Sequence, residues 1–202
     1  MVVRLANARR HAVDHADRHR YMPTMSDTIE PLTILLVPEP ILKARARPVA
    51  AADMEQVRAL LPRMFATMYR APGIGLAAPQ VGVGLRFAVV DLMADDKPTP
   101  IVLINPEVVA RSEEQATREE GCLSLPGQYA DVTRPARVTV RYTDATGAKR
   151  QIDAEGLLAA CLQHEIDHLD GVLFVDHLSA LKRNMILRRL AKELRQKRAE
   201  AM

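Results

Sequence analysis

Two histidines separated by three residues, His164 and His168, give the sequence its strongest chemical signal. On an α-helix, residues four apart lie on one face about a turn from each other, so both rings can direct a nitrogen at one metal ion. Glu165 follows the first histidine and can act as a base beside that ion without ligating it. Residues 155–163 have a helix-forming composition, and Gly171 predicts where the helix ends. This spacing predicts a metal-dependent hydrolase.

The third ligand decides the class of metal site, and the candidates close to the histidines are unsuitable. One large class of zinc proteases places a third histidine six residues after the second, but that position is Phe174 here. Another class of zinc protease uses a downstream glutamate as the third ligand. The nearest candidate, Glu193, lies in a strongly basic segment and is expected on a solvated helix face. Cys161 precedes His168 by seven residues, and roughly 10.5 Å along a helix axis exceeds the combined reach of the two side chains. We expect Cys161 to be a small buried residue.

Cys122 remains as the third candidate ligand. It lies in residues 120–127, Glu-Gly-Cys-Leu-Ser-Leu-Pro-Gly, between a glycine that lets the backbone approach a ligand and a proline that fixes the exit of the loop. A thiolate with two imidazoles and an open fourth position is a known catalytic arrangement. An inert buried thiol is the alternative for any single cysteine, and it loses weight beside two histidines that lack a third ligand.

Three segments together resemble the signature motifs of the peptide deformylase family. They are residues 73–82, Gly-Ile-Gly-Leu-Ala-Ala-Pro-Gln-Val-Gly, then residues 120–127, and then residues 163–171, which begin Gln-His-Glu-Ile-Asp-His. They occur in the family's order and at its usual spacing, within a similarity that covers roughly residues 32–176. The resemblance implies a hydrolase that removes the N-formyl group from the initiator N-formylmethionine of nascent polypeptides and releases formate.

The resemblance also implies roles for individual residues. The metal ligands would be Cys122, His164 and His168, and the catalytic groups would be Glu165, Gln80 and the backbone N–H of Leu123. Glu165 would take a proton and return it to the leaving amine, while the two amide donors would stabilise the oxyanion. The working ion would be Fe²⁺, with Zn²⁺, Ni²⁺ or Co²⁺ able to replace it. The ligand types alone also permit zinc.

Substrate contacts are expected from two places in the chain. Gly73 and Gly75 bare the backbone on either side of Ile74, so an extended peptide could pair there as an added strand. Leu157 and Ala160 share a helix face with the first histidine and predict an apolar slot, which suits an unbranched methionine. The predicted substrate-binding residues are Ile74, Gly75, Glu120, Gly121, Leu157, Ala160 and Cys161.

The residues around the second motif leave the side-chain preference open. Glu120 is expected to pair with a base, and the resemblance suggests Arg134. Ala160 is small for the wall of a slot, and Arg118 and Tyr129 have no assigned role.

Composition is that of an ordinary globular chain. Of 202 residues, 48% are hydrophobic and 26% are charged. No run approaches the roughly 18 apolar residues of a membrane span. Two distant cysteines without a secretory segment argue for a reducing compartment, so we predict a cytoplasmic bacterial protein. We also predict that it is a monomer and does not contact a membrane.

Charge divides the chain into three parts. Residues 1–24 carry +3 and residues 177–202 carry +6, so residues 25–176 must carry −6 to give the net +3. We predict a basic N-terminal extension over 1–24, a catalytic domain over 25–176 and a basic C-terminal helix over 177–202. The Arg-rich, acid-poor extension is also typical of an organellar transit peptide, and Met25 is an alternative start.

Hydrophobic periodicity predicts an α+β fold, with mainly antiparallel sheets around the central metal-binding HExxH helix and with a C-terminal helix. A helix is predicted over Met54–Tyr69, and strands over 33–37, 86–92, 101–104, 138–142, 149–152 and 172–175. A hairpin turn is predicted over residues 144–148, and most of the glutamates in residues 111–120 are expected in solvent.

The C-terminal segment has two interpretations. Six apolar residues can line one side of a helix: Leu178, Leu181, Met185, Leu187, Leu190 and Leu194. The basic remainder is either a solvated face or a surface that binds RNA phosphates. Because deformylases act on chains emerging from ribosomes, ribosomal RNA is the expected partner of such a surface.

Two other functions remain open from the sequence. Another metal-dependent amidase or peptidase could use the same Cys/His/His site. A non-catalytic ribosome or RNA binder would explain the basic ends, but it has no chemical need for Cys122, Glu165 and both histidines together.

Overall fold

The computed structural model describes residues 29–94 and 97–200, and its architecture is α+β. The helices are α1 (Met54–Arg70), α2 (Gly156–Leu169) and α3 (Ala180–Glu200), and the strands are β1 (Gly75–Ala77), β2 (Phe87–Val90), β3 (Ile101–Arg111), β4 (Gln115–Cys122), β5 (Leu125–Pro135), β6 (Arg137–Thr143) and β7 (Lys149–Glu155). All named strand pairs are antiparallel, in a five-stranded sheet of order β1-β2-β3-β6-β7 and a β4-β5 hairpin. The predicted fold class is confirmed. The predicted extension over residues 1–24 and the alternative start at Met25 lie outside the described residues.

Helices α1 and α2 cover the two faces of the five-stranded sheet at β2. Phe87 and Val89 of β2 pack with the apolar stripe of α1, whereas Val90 packs with α2 on the other face. Because successive strand residues point to opposite faces, a strand covered on both sides is apolar throughout, as β2 is. Most of α2 from residue 159 onward is buried, which is typical of a central helix.

The β4-β5 hairpin, the following loop and α3 share a separate apolar cluster. Cys122 and Leu125 of the hairpin pack against Phe174, and Ile186 and Leu190 of α3 close the cluster. A buried glutamine fastens the helix: Arg189 Nε donates to Gln128 Oε1 over 2.6 Å, and Gln128 Nε2 donates to Glu193 Oε2 over 3.0 Å. Glu193 is therefore half-buried against the hairpin rather than on a solvated face.

Two predicted strands are wrong. Residues 33–37 form no strand, and their backbone instead binds two loops, through Leu35 N to Gln80 O at 2.8 Å and Val37 N to Ser124 O at 3.0 Å. Residues 172–175 lead into a 3₁₀ helix, Phe174–His177, because the Asp176 carboxylate accepts the Leu173 N–H at the start of that turn. Strands β4 and β5 were not predicted, since their outer halves carry polar residues on both sides.

The predicted apolar stripe of α3 is only partly right. Of the predicted residues, Leu190 is buried and Leu178, Leu187 and Leu194 pack partly buried against its cluster, but Leu181 is 71% exposed and Met185 is 62% exposed. Ile186, which was not predicted, forms a buried pair with Leu190. At about 100° per residue Leu181 and Met185 lie on the opposite side of the helix from the buried pair. Along the described ranges, no helix is both long and apolar enough to span a bilayer.

Candidate metal centre

Helix α2 is held near its middle and just after its C-terminal end, which sets the orientation of its histidines. The Gln163 side chain donates to Pro135 O over 3.1 Å and ties the helix to the end of β5. Gly171 has φ +75° and ends the helix as predicted. A Cβ at Gly171 would stand 2.6 Å from Lys43 O, so the chain after α2 passes the N-terminal segment closer than any other residue would allow.

The structure brings the three predicted ligands together in the interior. Cys122, His164 and His168 are buried, and one ligand atom from each lies within 4.8 Å of the others. Cys122 Sγ is 3.2 Å from His168 Nε2, and the two imidazole rings have centroids 4.9 Å apart. The sulfur therefore points at the ring nitrogens and not away from them.

The hydrogen bond behind His164 fixes which nitrogen can ligate. Its Nδ1 is 2.9 Å from Glu120 Oε2, and an ionised carboxylate only accepts, so Nδ1 carries the hydrogen. In the neutral ring the lone pair is then on Nε2, which is buried and has no hydrogen-bond partner among the described residues. A buried nitrogen without a partner is costly unless a cation meets it. Together with the Cys122 sulfur and the His168 ring, this nitrogen forms a donor set that fits a divalent ion.

The site also favours positive charge. Burial lowers the pKa of His164, but contacts with Cys122 and Glu120 overcome it and raise the pKa to about 9. Burial, followed by the charge of His164, lowers the pKa of His168 well below its usual value and keeps that ring neutral. Without an ion the cluster therefore holds one positive charge, on the His164 ring, and a divalent ion would displace the Nε2 proton and take the place of that charge.

An ion-pair network holds the His164 ring through its Nδ1 atom. Burial acts to raise the pKa of Glu120, but hydrogen bonds from His164 and Arg134 lower it to about 2. Arg134 Nε and Nη2 donate to the two Glu120 oxygens over 2.6 and 3.0 Å, which confirms the predicted pair. With both oxygens bonded in this way, Glu120 is positioned to orient His164.

Glu165 is fully buried next to Gly75. A Cβ built on Gly75 would stand 2.7 Å from Glu165 Cδ, so only glycine leaves room for the carboxylate. Strand β1, which begins at Gly75, is an edge of the five-stranded sheet. The predicted base and the predicted peptide-binding edge are therefore adjacent.

Gln80 and Leu123 are both close to the cluster. Gln80 is fully buried, and its Oε1 accepts the Ala77 N–H over 2.9 Å, which directs Nε2 to Cys122 Sγ at 3.5 Å and Ser124 Oγ at 3.2 Å. Leu123 follows the cysteine in the turn between β4 and β5, with its side chain in the core. An amide donor thus lies beside the ligand sulfur.

Four apolar residues predicted to contact the substrate share one cluster. Ala160 and Cys161 are buried in it, and Ile74 and Leu157 pack against them at its partly exposed margin. Cys161 Sγ is 3.6 Å from Ile74 O, which joins α2 to the strand edge. Gly121, the remaining predicted contact, pairs with Tyr129 across the hairpin. A narrow cleft beside the slot is lined by Arg118, Gly156 and Ala160, among others.

Three participants in the site's hydrogen bonds were missed from the sequence. Ser124 and Asp167 lie inside quoted motifs, and their polar side chains between buried neighbours were the available signal. Asp167 Oδ2 accepts from Arg134 Nη1 over 2.7 Å and is also 2.7 Å from His177 Nε2. His177 lies outside every motif, and nothing in its sequence neighbourhood marks it.

The matching family model and the similar proteins identify the same family. The model of the polypeptide deformylase family matches residues 31–184. A peptide deformylase of Rhizobium meliloti (strain 1021) is 51% identical over 176 residues, which make up 87% of this chain and 99% of the relative. One of Rhizorhabdus wittichii is 54% identical over 172 residues, 82% of this chain and 97% of the relative.

Solved structures agree with the sequence relatives. A peptide deformylase from Legionella pneumophila shares 49% identity with a TM-score of 0.77, over 83% of this chain and 98% of that one. One from Ehrlichia chaffeensis in complex with actinonin shares 39% identity with a TM-score of 0.77, over 81% of this chain and 97% of that one. The likeness covers nearly the whole length of each of these proteins.

Proposed function

This chain belongs to the polypeptide deformylase family and removes the N-formyl group from nascent peptides as a metal-dependent hydrolase, and from that premise we propose that the Cys122, His164 and His168 cluster is its metal centre. One observation carries the assignment. Three buried ligand atoms converge within 4.8 Å, and the His164 nitrogen among them has no other partner in the described chain.

The ion is proposed to be Fe²⁺, with Zn²⁺, Ni²⁺ or Co²⁺ as functional replacements. A mixed thiolate and imidazole set suits each of these ions, so the ligands limit the choice without fixing it. When bound, the ion supplies Lewis acidity, polarising the formyl carbonyl and making hydroxide accessible near neutral pH.

Glu165 is proposed as the general base and acid. Its carboxylate is buried beside the edge strand, where it can take a proton from water and pass it to the leaving amine. The Gln80 amide and the Leu123 backbone N–H are proposed to stabilise the charge that develops on the formyl oxygen. Gln80 is favoured for this role because its amide is already oriented by Ala77.

The methionine side chain is proposed to enter the slot formed by Leu157, Ala160 and Cys161, with Ile74 holding the first residues of the peptide. Their shared apolar cluster supports this placement, since an unbranched thioether fills an irregular apolar space well. The peptide backbone would then follow the β1 edge, with Gly75 and Gly121 as its neighbours.

The decisive experiment combines metal analysis with formate release. Anaerobically purified protein should contain one ion per chain and release formate from formyl-Met-Ala, but not acetate from acetyl-Met-Ala. Cys122→Ala should lose both the ion and the activity. Cys161→Ala, the matched control at the only other cysteine of the sequence, should keep the ion. Comparable cleavage of both peptides would favour the general amidase, and retention of the ion by Cys122→Ala would overturn the site.

We also propose a ribosome contact for the outer face of α3. Leu181, Met185, Arg188 and Lys192 are exposed on the side that faces away from the body, and a row of cations there can neutralise RNA phosphates. Arg189 is excluded from this face because it bonds Gln128. The proposed parts of the chain remain a basic extension over 1–24, a catalytic domain over 25–176 and this basic segment over 177–202, in a monomeric cytoplasmic protein.

Co-sedimentation with ribosomes tests this contact. Replacing Arg188 and Lys192 with Glu should reduce binding at low salt and leave formate release intact, because both side chains are exposed and outside the packed face of α3. Replacement of Lys149, a cation on the distant strand β7, is the matched control. Equal binding by all variants would show that α3 is only a packed helix, and a protein that binds ribosomes without hydrolysing formyl peptides would be the non-catalytic alternative.

A further inference from the structure

A continuous chain of charged hydrogen bonds runs from His164 to the surface of the molecule. It passes from His164 Nδ1 to Glu120 over 2.9 Å, from Glu120 to Arg134 over 2.6 and 3.0 Å, and from Arg134 to Asp167 over 2.7 Å. Its outer end is His177, whose Nε2 lies 2.7 Å from Asp167 Oδ2. His164, Glu120 and Arg134 are buried, whereas Asp167 and His177 reach solvent.

His177 lies on a short element that touches the proposed metal ligand a second time. It ends the 3₁₀ helix Phe174–His177, and the Phe174 ring stacks on the His164 ring with centroids 6.5 Å apart and planes at 20°. Helix α3 begins three residues after His177. The base of the C-terminal helix is therefore joined to His164 by ring stacking on one side and by the ion-pair chain on the other.

We propose that His177 is a positioning residue for the metal centre, and that it acts by donating a hydrogen bond to Asp167. The proposal rests on the metal centre assigned above. Among the described residues His177 Nε2 is hydrogen-bonded to Asp167, so the effect of this donated bond would pass through Asp167, Arg134 and Glu120 to His164.

Each hydrogen bond in this chain restrains the next group, so a donor as distant as His177 can affect the orientation of the His164 ring. Asp167 is an ionised acceptor, so His177 Nε2 carries the hydrogen that holds the carboxylate in place. Asp167 is 24% exposed, and without that donor it can rotate towards water. Arg134 presents its donors in a rigid plane, so the position of Asp167 on one edge fixes how Nε and Nη2 meet Glu120 on the other. Glu120 in turn fixes the His164 ring.

The test measures release of Co²⁺ to excess chelator from fully loaded protein at constant pH, together with the visible spectrum of the bound ion. Loss of an outer partner of a metal ligand costs about 10–100-fold in affinity, and for a group this far out we expect the low end, about tenfold faster release in His177→Phe. His177→Gln keeps an amide donor near the same place and should release Co²⁺ at close to the wild-type rate. A shifted Co²⁺ spectrum in His177→Phe alone is expected.

A matched control separates positioning from loosening of the short helix. Arg183 of α3 forms an ion pair with Asp176, the neighbour of His177, at 3.8 Å, and Arg183→Ala should not change release. Unchanged release from His177→Phe, equal acceleration in His177→Gln, or equal acceleration in Arg183→Ala would each overturn the proposal. Wild-type protein that takes up no Co²⁺, or Cys122→Ala that retains it, would instead overturn the metal centre itself.

Discussion

The carboxylate of Glu165 occupies the space that a side chain at Gly75 would need. A Cβ at Gly75 would stand 2.7 Å from Glu165 Cδ, well inside van der Waals contact. The first and third sequence motifs therefore meet at one point, where the edge strand β1 lies against the central helix α2. Gly75 is required for this approach, in addition to any contact that its backbone makes with substrate.

Gly75→Ala should therefore displace Glu165 and abolish formate release while the ion stays bound. Removing a general base costs about 10²–10⁴-fold in rate, so kcat should fall by at least about 100-fold. Gly84→Ala is the control, because a Cβ there meets nothing within 4 Å. Near-normal kcat in Gly75→Ala would mean that Glu165 has room to move without loss of function.

Sequence alone could predict most of the site because its residues are concentrated in three short motifs. Cys122 was found by the lack of a third ligand near His164, and the structure places its sulfur at the ring of His168. What could not be predicted depends on contacts between distant segments. His177 meets Asp167 only because the chain turns into a 3₁₀ helix where the apolar residues 172–175 were predicted to be a strand.

The fold was predictable where one periodicity dominated and not elsewhere. Helix α1 was predicted over Met54–Tyr69 and extends over Met54–Arg70, because its apolar stripe has a clear helical period. Strands β4 and β5 were missed because polar residues at their outer ends hide the buried inner halves. Glu113 and Glu114, just before β4, and Glu119 within it are exposed as predicted. Tertiary packing also decided which apolar residues of α3 are covered, and local spacing does not contain that information.

Replacing Glu165 itself distinguishes a base from a ligand. Glu165→Gln should fold, keep one ion per chain and lose about 10²–10⁴-fold in kcat, since the amide cannot accept the proton. Metal content and formate release measured on the same sample check both parts. Loss of the ion in Glu165→Gln would show that the carboxylate supports metal binding, and unchanged turnover would remove it from the mechanism.

Gln80→Ala separates two roles that the structure permits for one amide. Its Nε2 lies 3.5 Å from Cys122 Sγ and can stabilise either the ligand sulfur or the formyl oxyanion. If it stabilises the oxyanion, kcat should fall by the equivalent of about 2.7–4 kcal/mol with little change in metal content. Ser124→Ala, which removes the other acceptor of the same amide at 3.2 Å, should change kcat only slightly. A variant that loses the ion first would assign Gln80 to the sulfur.

The buried Glu120–Arg134 pair predicts how stability depends on pH. Burial opposes ionisation of Glu120, but hydrogen bonds from His164 and Arg134 prevail and lower its pKa from 4.5 to about 2. A lowered carboxyl pKa stabilises the folded state above the ordinary value, and that contribution is lost as pH falls from about 4.5 through about 2. The shift corresponds to roughly 3 kcal/mol.

Urea unfolding of metal-free protein between pH 7 and pH 2, in wild type and in Glu120→Gln, measures this contribution. The difference in free energy of unfolding between the two should shrink below about pH 5, because protonation makes wild-type Glu120 as uncharged as glutamine. Glu119→Gln, at the exposed neighbouring position of β4, should follow the wild-type curve. A difference that stays constant down to pH 2 would mean that the Glu120 charge does not stabilise the fold, and that His164 is held by packing against Phe174 rather than by this carboxylate.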